Sequence, residues 1–174
     1  MSVAPRVAAK AERMTFDDSI VIDARPEALF RLSQDYNRRL EWDPFLRSAS
    51  LVGGVGEAGV GLRALCVDRK GTAMETEYIS FNPPRAVAIK MTRGPWFLES
   101  FAGSWRFEEE APGRTRVGFQ YSLEARPRWL SWILNPVLTR VFARDTRRRL
   151  EALKEAVEKR GVLGSESAAR DMSS

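Results

Sequence analysis

The strongest pattern in the chain is an alternation of large apolar and polar residues in two consecutive segments, 96–110 and 115–125. One parity carries the apolar side chains: Phe97, Phe101, Trp105 and Phe107 in the first segment, and Val117, Phe119, Tyr121 and Leu123 in the second. A period of two is typical of strands with one buried face. The chain must therefore place another element over one face of a sheet.

Turn residues divide the middle of the chain into further strands. They lie at Lys70-Gly71, at Asn82-Pro83-Pro84, at Arg93-Gly94-Pro95 and at Ala111-Pro112-Gly113. Residues 60–125 are thus predicted to form a meander of about five antiparallel strands, and residues 14–23 and 46–52 bring the total to about seven. The pattern does not decide which parity of residues 60–69 and 72–81 faces inward.

Helices are predicted in two places. Pro26 opens a short helix after the first strand, and a second short helix ends before Pro44, because the residue before a proline is disfavoured in helical geometry. A long amphipathic helix is predicted from about residue 128 to 159. Its apolar start, residues 129–142, spans roughly 21 Å and is too short to cross a bilayer core of roughly 30 Å. Pro136 either kinks this helix or breaks it.

The composition limits the chemistry. The chain has no histidine and one cysteine, Cys66, so a Ser-His or Cys-His nucleophile is excluded, and neither a metal site nor a cofactor is expected. Residues 1–14 lack the apolar core of a secretory signal, which predicts a cytoplasmic protein. The net charge is +5, but the arginines of residues 140–149 are balanced by Glu151, Glu155 and Glu158 on a solvated helix face and accompany no recognition motif. Nucleic acid is therefore not an expected partner.

The order of elements and two sequence motifs resemble the START and polyketide cyclase-like superfamily, also called SRPBCC. The motifs are "SIVIDARPEALFRLSQDYNRRLEWDPFLRSASLV" (19–52) and "FAGSWRFEEEAPGRTRVGFQYSLEA" (101–125). The resemblance implies an α+β helix-grip fold, in which a curved antiparallel sheet wraps around a long C-terminal helix. It covers one domain, residues 14–159, with tails at 1–13 and 160–174. It also implies a cavity for a lipophilic or polycyclic molecule between the sheet and the helix.

The candidate ligand-binding residues follow from this expected cavity and from the aromatic composition. They are Trp42, Phe45, Trp96, Phe97, Glu99, Phe101, Phe119, Tyr121, Trp129, Ile133, Leu138 and Phe142. Each ring has an alternative role as ordinary core packing. Trp42, Trp96, Trp129 and Trp132 lie at segment ends beside prolines, where we expect the cavity mouth.

Glu99 is the one catalytic candidate, because it shares the parity of Phe97 and Phe101 and is expected to point inward with them. A buried carboxylate must be paired, hydrogen-bonded or protonated. Three alternatives remain open: it faces the ligand, it pairs with Arg63, Arg144 or Arg149, or a bulge turns it outward.

Three functions are compatible with these features. The favoured hypothesis is a carrier or sensor that binds a lipophilic molecule such as a lipid, a quinone or a polyketide. The second is a cyclase or dehydratase that uses Glu99 in the same cavity. The third is a module that contacts an anionic membrane surface or a protein through Trp129, Trp132 and the nearby arginines. Whether the tryptophans pair two copies into a homodimer is left open.

Overall fold

The computed structural model describes residues 14–54 and 56–164. The strands in this range are β1 Met14–Ile22, β2 Leu46–Leu51, β3 Arg63–Asp68, β4 Ala73–Asn82, β5 Ala86–Arg93, β6 Leu98–Ala111 and β7 Arg114–Ala125. The helices are α1 Pro26–Gln34, α2 Arg39–Trp42 and α3 Ser131–Glu158, and a 3-10 turn at Arg128–Leu130 precedes α3.

All seven strands belong to one antiparallel sheet in the order β1-β7-β6-β5-β4-β3-β2. The sheet curls around α3, and the two short helices lie between β1 and β2 in the chain. The predicted helix-grip fold is confirmed. The alternation in β7 is confirmed as well, because Val117, Phe119, Tyr121 and Leu123 are all buried on the concave face.

α3 runs without a break through Pro136, which answers the question that the sequence left open. The proline lies near the helix start, where the loss of its N–H removes only one early intrahelical bond. The preceding Asn135 is buried, and its side-chain Oδ1 accepts a hydrogen bond of 3.0 Å from the backbone N–H of Ala125. This bond ties the start of α3 to the end of β7.

The two halves of α3 differ in how closely they pack. The second half buries Leu150, Leu153 and Ala156 completely, and Lys154 Nζ donates to the backbone oxygen of Val21 in β1 over 2.7 Å. The first half leaves Ile133, Val137 and Val141 exposed. The helix is therefore anchored at its C-terminal end and leaves space beneath its N-terminal end.

The first residues of the expected C-terminal tail contact the folded domain. Val162 and Leu163 pack against the core, and Arg38 Nη2 donates to the backbone oxygen of Val162 over 2.7 Å. Val162 and Leu163 are thus packed with the folded unit, and the backbone N–H of Val162 donates to the backbone oxygen of Ala156 in α3. The remainder of that tail, 165–174, and the N-terminal tail, 1–13, lie outside the described residues.

The β3–β4 turn forms where Lys70-Gly71 predicted it. Gly71 has a φ of 91°, a left-handed conformation that glycine adopts without steric cost. Asp68 Oδ1 accepts hydrogen bonds from the backbone N–H groups of Lys70 (2.8 Å) and Thr72 (2.7 Å). The Asp68 carboxylate is therefore committed to holding this turn.

Candidate functional site

A cavity of about 440 Å³ lies between the concave face of the sheet and the first half of α3. Its volume falls in the range of about 300–1,000 Å³ that is usual for small-molecule sites. The β3–β4 turn, the loop before β6 and α3 border its mouth through Thr72, Pro95 and Val141. The residues after α1 border the opposite, inner end.

One wall of the cavity is aromatic. Phe101 packs against Phe142 of α3 with ring centroids 5.9 Å apart, and Trp105 packs against Phe119 at 4.8 Å. The first pair joins β6 to α3, and the second joins the neighbouring strands β6 and β7, so both pairs fix the wall as well as lining it. Leu138 completes this surface from α3. The wall suits a flat or extended apolar molecule.

The inner end contains a chain of hydroxyl and amide groups. The Tyr36 and Tyr78 hydroxyls lie 3.1 Å apart, and Tyr78 donates to Gln34 Oε1 over 2.8 Å. Gln34 Nε2 donates to Ser33 Oγ over 2.9 Å, and Ser33 Oγ donates to the backbone oxygen of Phe30. The chain starts at the cavity surface and ends in α1, so the backbone of that helix holds the tyrosines in place.

A buried carboxylate, Asp43, joins two arginines beside these tyrosines. Asp43 is 1% exposed, its Oδ2 accepts from Arg39 Nε over 3.2 Å, and Arg149 Nε lies 2.9 Å from the same oxygen without the alignment of a hydrogen bond. Burial alone would raise the pKa of Asp43, but the charges of Arg149 and Arg39 outweigh burial and hold the pKa below its ordinary value. Arg39 Nη1 also donates to the backbone oxygen of Ser33 over 2.7 Å. We call Arg39, Asp43 and Arg149 the charged triad.

Three other titratable groups at this end are neutral near pH 7. Burial raises the pKa of Tyr36 well above its ordinary value, and the neighbouring Tyr78 adds to the rise. Burial also raises the pKa of Tyr78 and of the Cys66 thiol. The inner end therefore offers neutral hydroxyl and thiol groups beside permanently charged guanidinium groups.

Half of the candidate residues line this cavity. They are Phe45, Phe97, Phe101, Phe119, Leu138 and Phe142. Five of the six come from β6, β7, α3 or the loop before β6, and Phe45 lies between α2 and β2.

Two aromatic candidates are buried behind the wall. Trp42 is packed under the Arg39 guanidinium, whose carbon lies 4.5 Å from the ring centroid, and meets Trp105 edge-on. Tyr121 is buried beside Phe101, and its hydroxyl donates to the backbone oxygen of Thr139 over 3.2 Å. Neither residue lines the cavity, and Trp42 does not lie at the mouth, because both are held in the core by their ring neighbours.

Three candidates lie on the outside of the molecule. Trp96 and Trp129 are 78% and 77% exposed, and Ile133 is exposed as well. Trp132, also expected at the mouth, is 75% exposed. These side chains do not line the cavity, but Trp96 contacts Phe97, which does.

The expectation that Glu99 points inward is wrong. The β6–β7 register shifts between Leu98 and Ser100, which buries Leu98 and turns Glu99 to the exposed side. There Glu99 Oε2 accepts from Arg126 Nε over 2.6 Å. The bulge alternative is correct, and Arg126 was not among the expected partners.

The polar half of the site was largely missed. Gln34, Tyr36 and Arg39 come from short helices or their connections, where neighbouring residues give no clear periodic pattern. For β4, the inward parity carries Met74, Thr76 and Tyr78, and Glu75 and Glu77 point to the other face. Two glutamates on one parity were a usable signal for this orientation, because unpaired carboxylates are costly in a core.

Two absences complete the description. Within the described residues, no group of three or more His, Cys, Asp or Glu side chains is arranged to hold a metal ion. No helix in residues 14–54 and 56–164 is both long and apolar enough to cross a membrane.

Comparisons with solved structures agree with this architecture. The START superfamily protein from Mycobacterium smegmatis has a TM-score of 0.70 at 12% identity, with 85% of this chain and 99% of that chain covered. The Zhui aromatase/cyclase from Streptomyces sp. R1128 has a TM-score of 0.67 at 14% identity, with coverages of 86% and 99%. These identities establish a shared fold alone.

A third structure is larger. The di-domain ARO/CYC BexL of the BE-7585A biosynthetic pathway has a TM-score of 0.65 at 18% identity, with 83% of this chain covered. The chain spans 46% of that protein. No curated protein matches. One family model, described as polyketide cyclase / dehydrase and lipid transport, matches residues 13–158, and the chain therefore belongs to this family.

Proposed function

We propose that the protein carries or senses a lipophilic or polycyclic molecule, which it binds in the cavity beneath α3 without transforming it. The observation that supports this proposal most is the amphipathic cavity of about 440 Å³, with an aromatic wall at one side and hydroxyl and guanidinium groups at its inner end. Such a surface buries an apolar body and orients one polar end.

The state of the titratable groups favours binding over turnover. A general acid or base works best when its pKa lies near the operating pH. The pKa values of Tyr36, Tyr78 and Cys66 are raised by burial, and that of Asp43 is lowered by its two arginines. These shifts move each of the four pKa values further from pH 7. Glu99 lies outside the cavity.

A cyclase or dehydratase remains the alternative, because the family description includes both activities. An enzyme of this kind can also act by folding a reactive chain in a shaped pocket. The two functions differ in one measurable respect. A carrier returns its bound molecule chemically unchanged, whereas an enzyme releases a product of different mass or ring count.

Cys66 provides a direct test of cavity occupancy, because it is the only cysteine in the chain and lines the cavity. The thiolate is the reactive form, so the raised pKa of this thiol predicts slow alkylation by iodoacetamide at pH 8. We expect saturating pyrenebutyrate, a polycyclic amphiphile, to slow alkylation by at least about tenfold, since the probe covers the thiol. Intact-protein mass spectrometry gives the rate. Unchanged labelling at saturation would contradict binding in this cavity.

We also propose that the protein takes up its ligand from an anionic membrane surface. Six exposed apolar side chains lie in the loop before β6 and in the segment from Trp129 to Val141: Trp96, Trp129, Trp132, Ile133, Val137 and Val141. We call them the apolar platform. Val141 belongs to both the platform and the cavity lining, so a surface that covers the platform meets the mouth directly.

The charge next to the platform favours anionic lipid. Residues 126–149 contain seven arginines and one aspartate, and Arg140 and Arg144 lie on the same exposed face of α3 as Ile133 and Val137. Tryptophan rings beside arginines suit the boundary between headgroups and acyl chains. A protein partner or a second copy of the chain would have to tolerate the same cluster of positive charge.

Replacing Arg140 and Arg144 together by Gln is expected to weaken binding to vesicles that contain phosphatidylserine by roughly 30-fold, at about 1 kcal/mol for each arginine near the surface. Vesicle co-sedimentation at low salt measures this. The control is the double variant Arg63→Gln and Arg106→Gln, which removes the same charge from exposed positions of β3 and β6. Equal losses of vesicle affinity in both double variants would show that the effect comes from net charge alone. Concentration-dependent dimers with no vesicle binding would assign the platform to self-association instead.

A further inference from the structure

The inner end of the cavity carries an excess of positive charge. The charged triad contains two guanidinium groups and one carboxylate, because Asp43 alone lies against both Arg39 and Arg149. Arg39 is 9% exposed and Arg149 is also partly buried, so solvent screens this excess positive charge poorly. A buried excess charge is costly unless a counter-charge reaches it.

The other charged residues that line the cavity lie at its rim. Asp68 accepts two backbone hydrogen bonds in the β3–β4 turn, and Lys70 is exposed in that turn. Asp145 lines the cavity from α3, its side chain is 36% exposed, and its Oδ1 lies 3.9 Å from Arg144 Nε. The positive and negative charges at the rim therefore offset one another, and the excess positive charge remains with the charged triad.

Hydrogen-bond donors accompany this charge. Arg39 uses Nε for Asp43 and Nη1 for Ser33, and among the described residues nothing accepts a hydrogen bond from its Nη2. A guanidinium has five N–H donors in total. Arg39 thus faces the cavity with donors that a bound molecule can use.

The hydroxyl chain can add another donor. Either tyrosine can donate in the Tyr36–Tyr78 bond, and rotation of the Gln34 amide exchanges its donor and acceptor. With the chain reversed, Ser33 donates to the Gln34 oxygen in place of the Phe30 backbone oxygen, Gln34 donates to Tyr78, Tyr78 donates to Tyr36, and the Tyr36 hydroxyl proton is available to the cavity. Burial raises the pKa of Tyr36, so it keeps this proton at neutral pH.

We propose that the inner end of the cavity binds an anionic oxygen group, a carboxylate or an ionised phenol or enol, at the polar end of the lipophilic ligand. This inference rests on the proposed carrier function and adds the chemistry of its ligand. Arg39 is the main recognition residue, Tyr36 supplies a second donor, and Arg149 contributes charge. The anion balances the triad, and the aromatic wall holds the apolar body.

The test compares two forms of one probe on the unaltered protein. Pyrenebutyrate carries a carboxylate, and its methyl ester has the same ring system and no charge. We expect the acid to bind at least about tenfold more tightly than the ester at pH 7, because charge-assisted hydrogen bonds are roughly twice as strong as neutral ones. Pyrene fluorescence gives both dissociation constants.

The outcomes separate the two proposals. An ester that binds as tightly as the acid, or more tightly, would overturn the anionic head group and leave the carrier function intact. Failure of both probes to bind would overturn the carrier function itself. Acid-selective binding supports both.

Variants locate the selectivity. Tyr36→Phe keeps the ring, so the fold is expected to persist, and we expect it to weaken acid binding by about threefold to tenfold with little change for the ester. Arg39→Gln is expected to remove the acid preference altogether. Arg63→Gln on the outer face serves as the matched control. Retention of the full preference in both Tyr36→Phe and a folded Arg39→Gln would place the selectivity elsewhere and overturn the assignment.

Discussion

Replacing Asp43 by Asn is expected to lower the free energy of unfolding by about 3–5 kcal/mol, because the change leaves two guanidinium groups near a buried neutral amide. The side chain keeps its volume, so the loss comes from charge. Arg39 is affected most, since burial would lower its pKa and Asp43 is the largest of the influences that raise it. Urea unfolding followed by tryptophan fluorescence measures the difference.

A nearby ion pair provides the control. Glu41 pairs with Arg38 at 3.1 Å, but its side chain is 47% exposed. Glu41→Gln is expected to cost less than about 1 kcal/mol, as exposed pairs generally do. If the two variants lost equal stability, the charged triad would not be the structural element described above.

The Asp43 effect should depend on pH in one direction. The pKa of Asp43 is lower in the folded protein than in the unfolded chain, where it lies near 3.9. Its ionised form therefore stabilises the fold at neutral pH, and this contribution is lost as the pH falls through the folded-state pKa. We expect the stability gap between the parent protein and Asp43→Asn to be constant between about pH 7 and 5 and to narrow below about pH 4.

Replacing Ile89 by Trp is expected to weaken binding of pyrenebutyrate by roughly 70-fold. Ile89 lines the cavity at the centre of the sheet, so an indole ring there fills space that the probe would occupy. Loss of about 100 Å² of apolar contact corresponds to about 2.5 kcal/mol. The fold should tolerate the change better than a packed core would, at a cost of about 1–3 kcal/mol.

Ile79→Trp is the matched control, because Ile79 is 48% exposed on the neighbouring strand β4 and does not line the cavity. Its affinity for the probe should stay within about twofold of the parent value, as expected for a surface change. Isothermal titration calorimetry on both variants gives the comparison. Equal affinities in the two would contradict binding beneath α3.

The fold followed from the sequence wherever a periodic pattern extended over many residues. In β7, Val117, Phe119, Tyr121 and Leu123 alternate without interruption, and the strand is as predicted. In β6 the same argument failed at Glu99, because a single register shift inverts the direction of every later side chain relative to the earlier ones. Phe97 still reaches the cavity from the loop that precedes β6.

The charged triad had no comparable signal. Arg39 and Asp43 lie four residues apart in a one-turn helix, whereas Arg149 is more than 100 positions away on α3. The contact between these three residues depends on how α2 packs against α3. The arginine-rich segment of α3 by itself indicated a solvent-exposed helix face balanced by glutamates. Arg149 differs from its exposed neighbours Arg147 and Arg148 only in the face of α3 on which it lies.

The exposure of the apolar platform was also difficult to predict from the sequence, because its residue types indicate burial. Trp96, Trp129 and Trp132 are residue types that usually contribute to cores, and their positions beside prolines predicted only that they lie near a mouth. The exposure of Trp132 accompanies the loose packing of the first half of α3, which no local pattern encodes. The same loose packing creates the cavity.

Native mass spectrometry of the gently purified protein and of Ile89→Trp, measured side by side, tests the carrier function most directly. We expect the parent protein to carry one small molecule per chain, or to take up one equivalent of pyrenebutyrate, and to release it chemically unchanged on denaturation. Ile89→Trp should carry no bound small molecule under the same conditions. A parent protein that stays bare with the probe present, or that binds it no better than Ile89→Trp does, would contradict a ligand-binding cavity beneath α3.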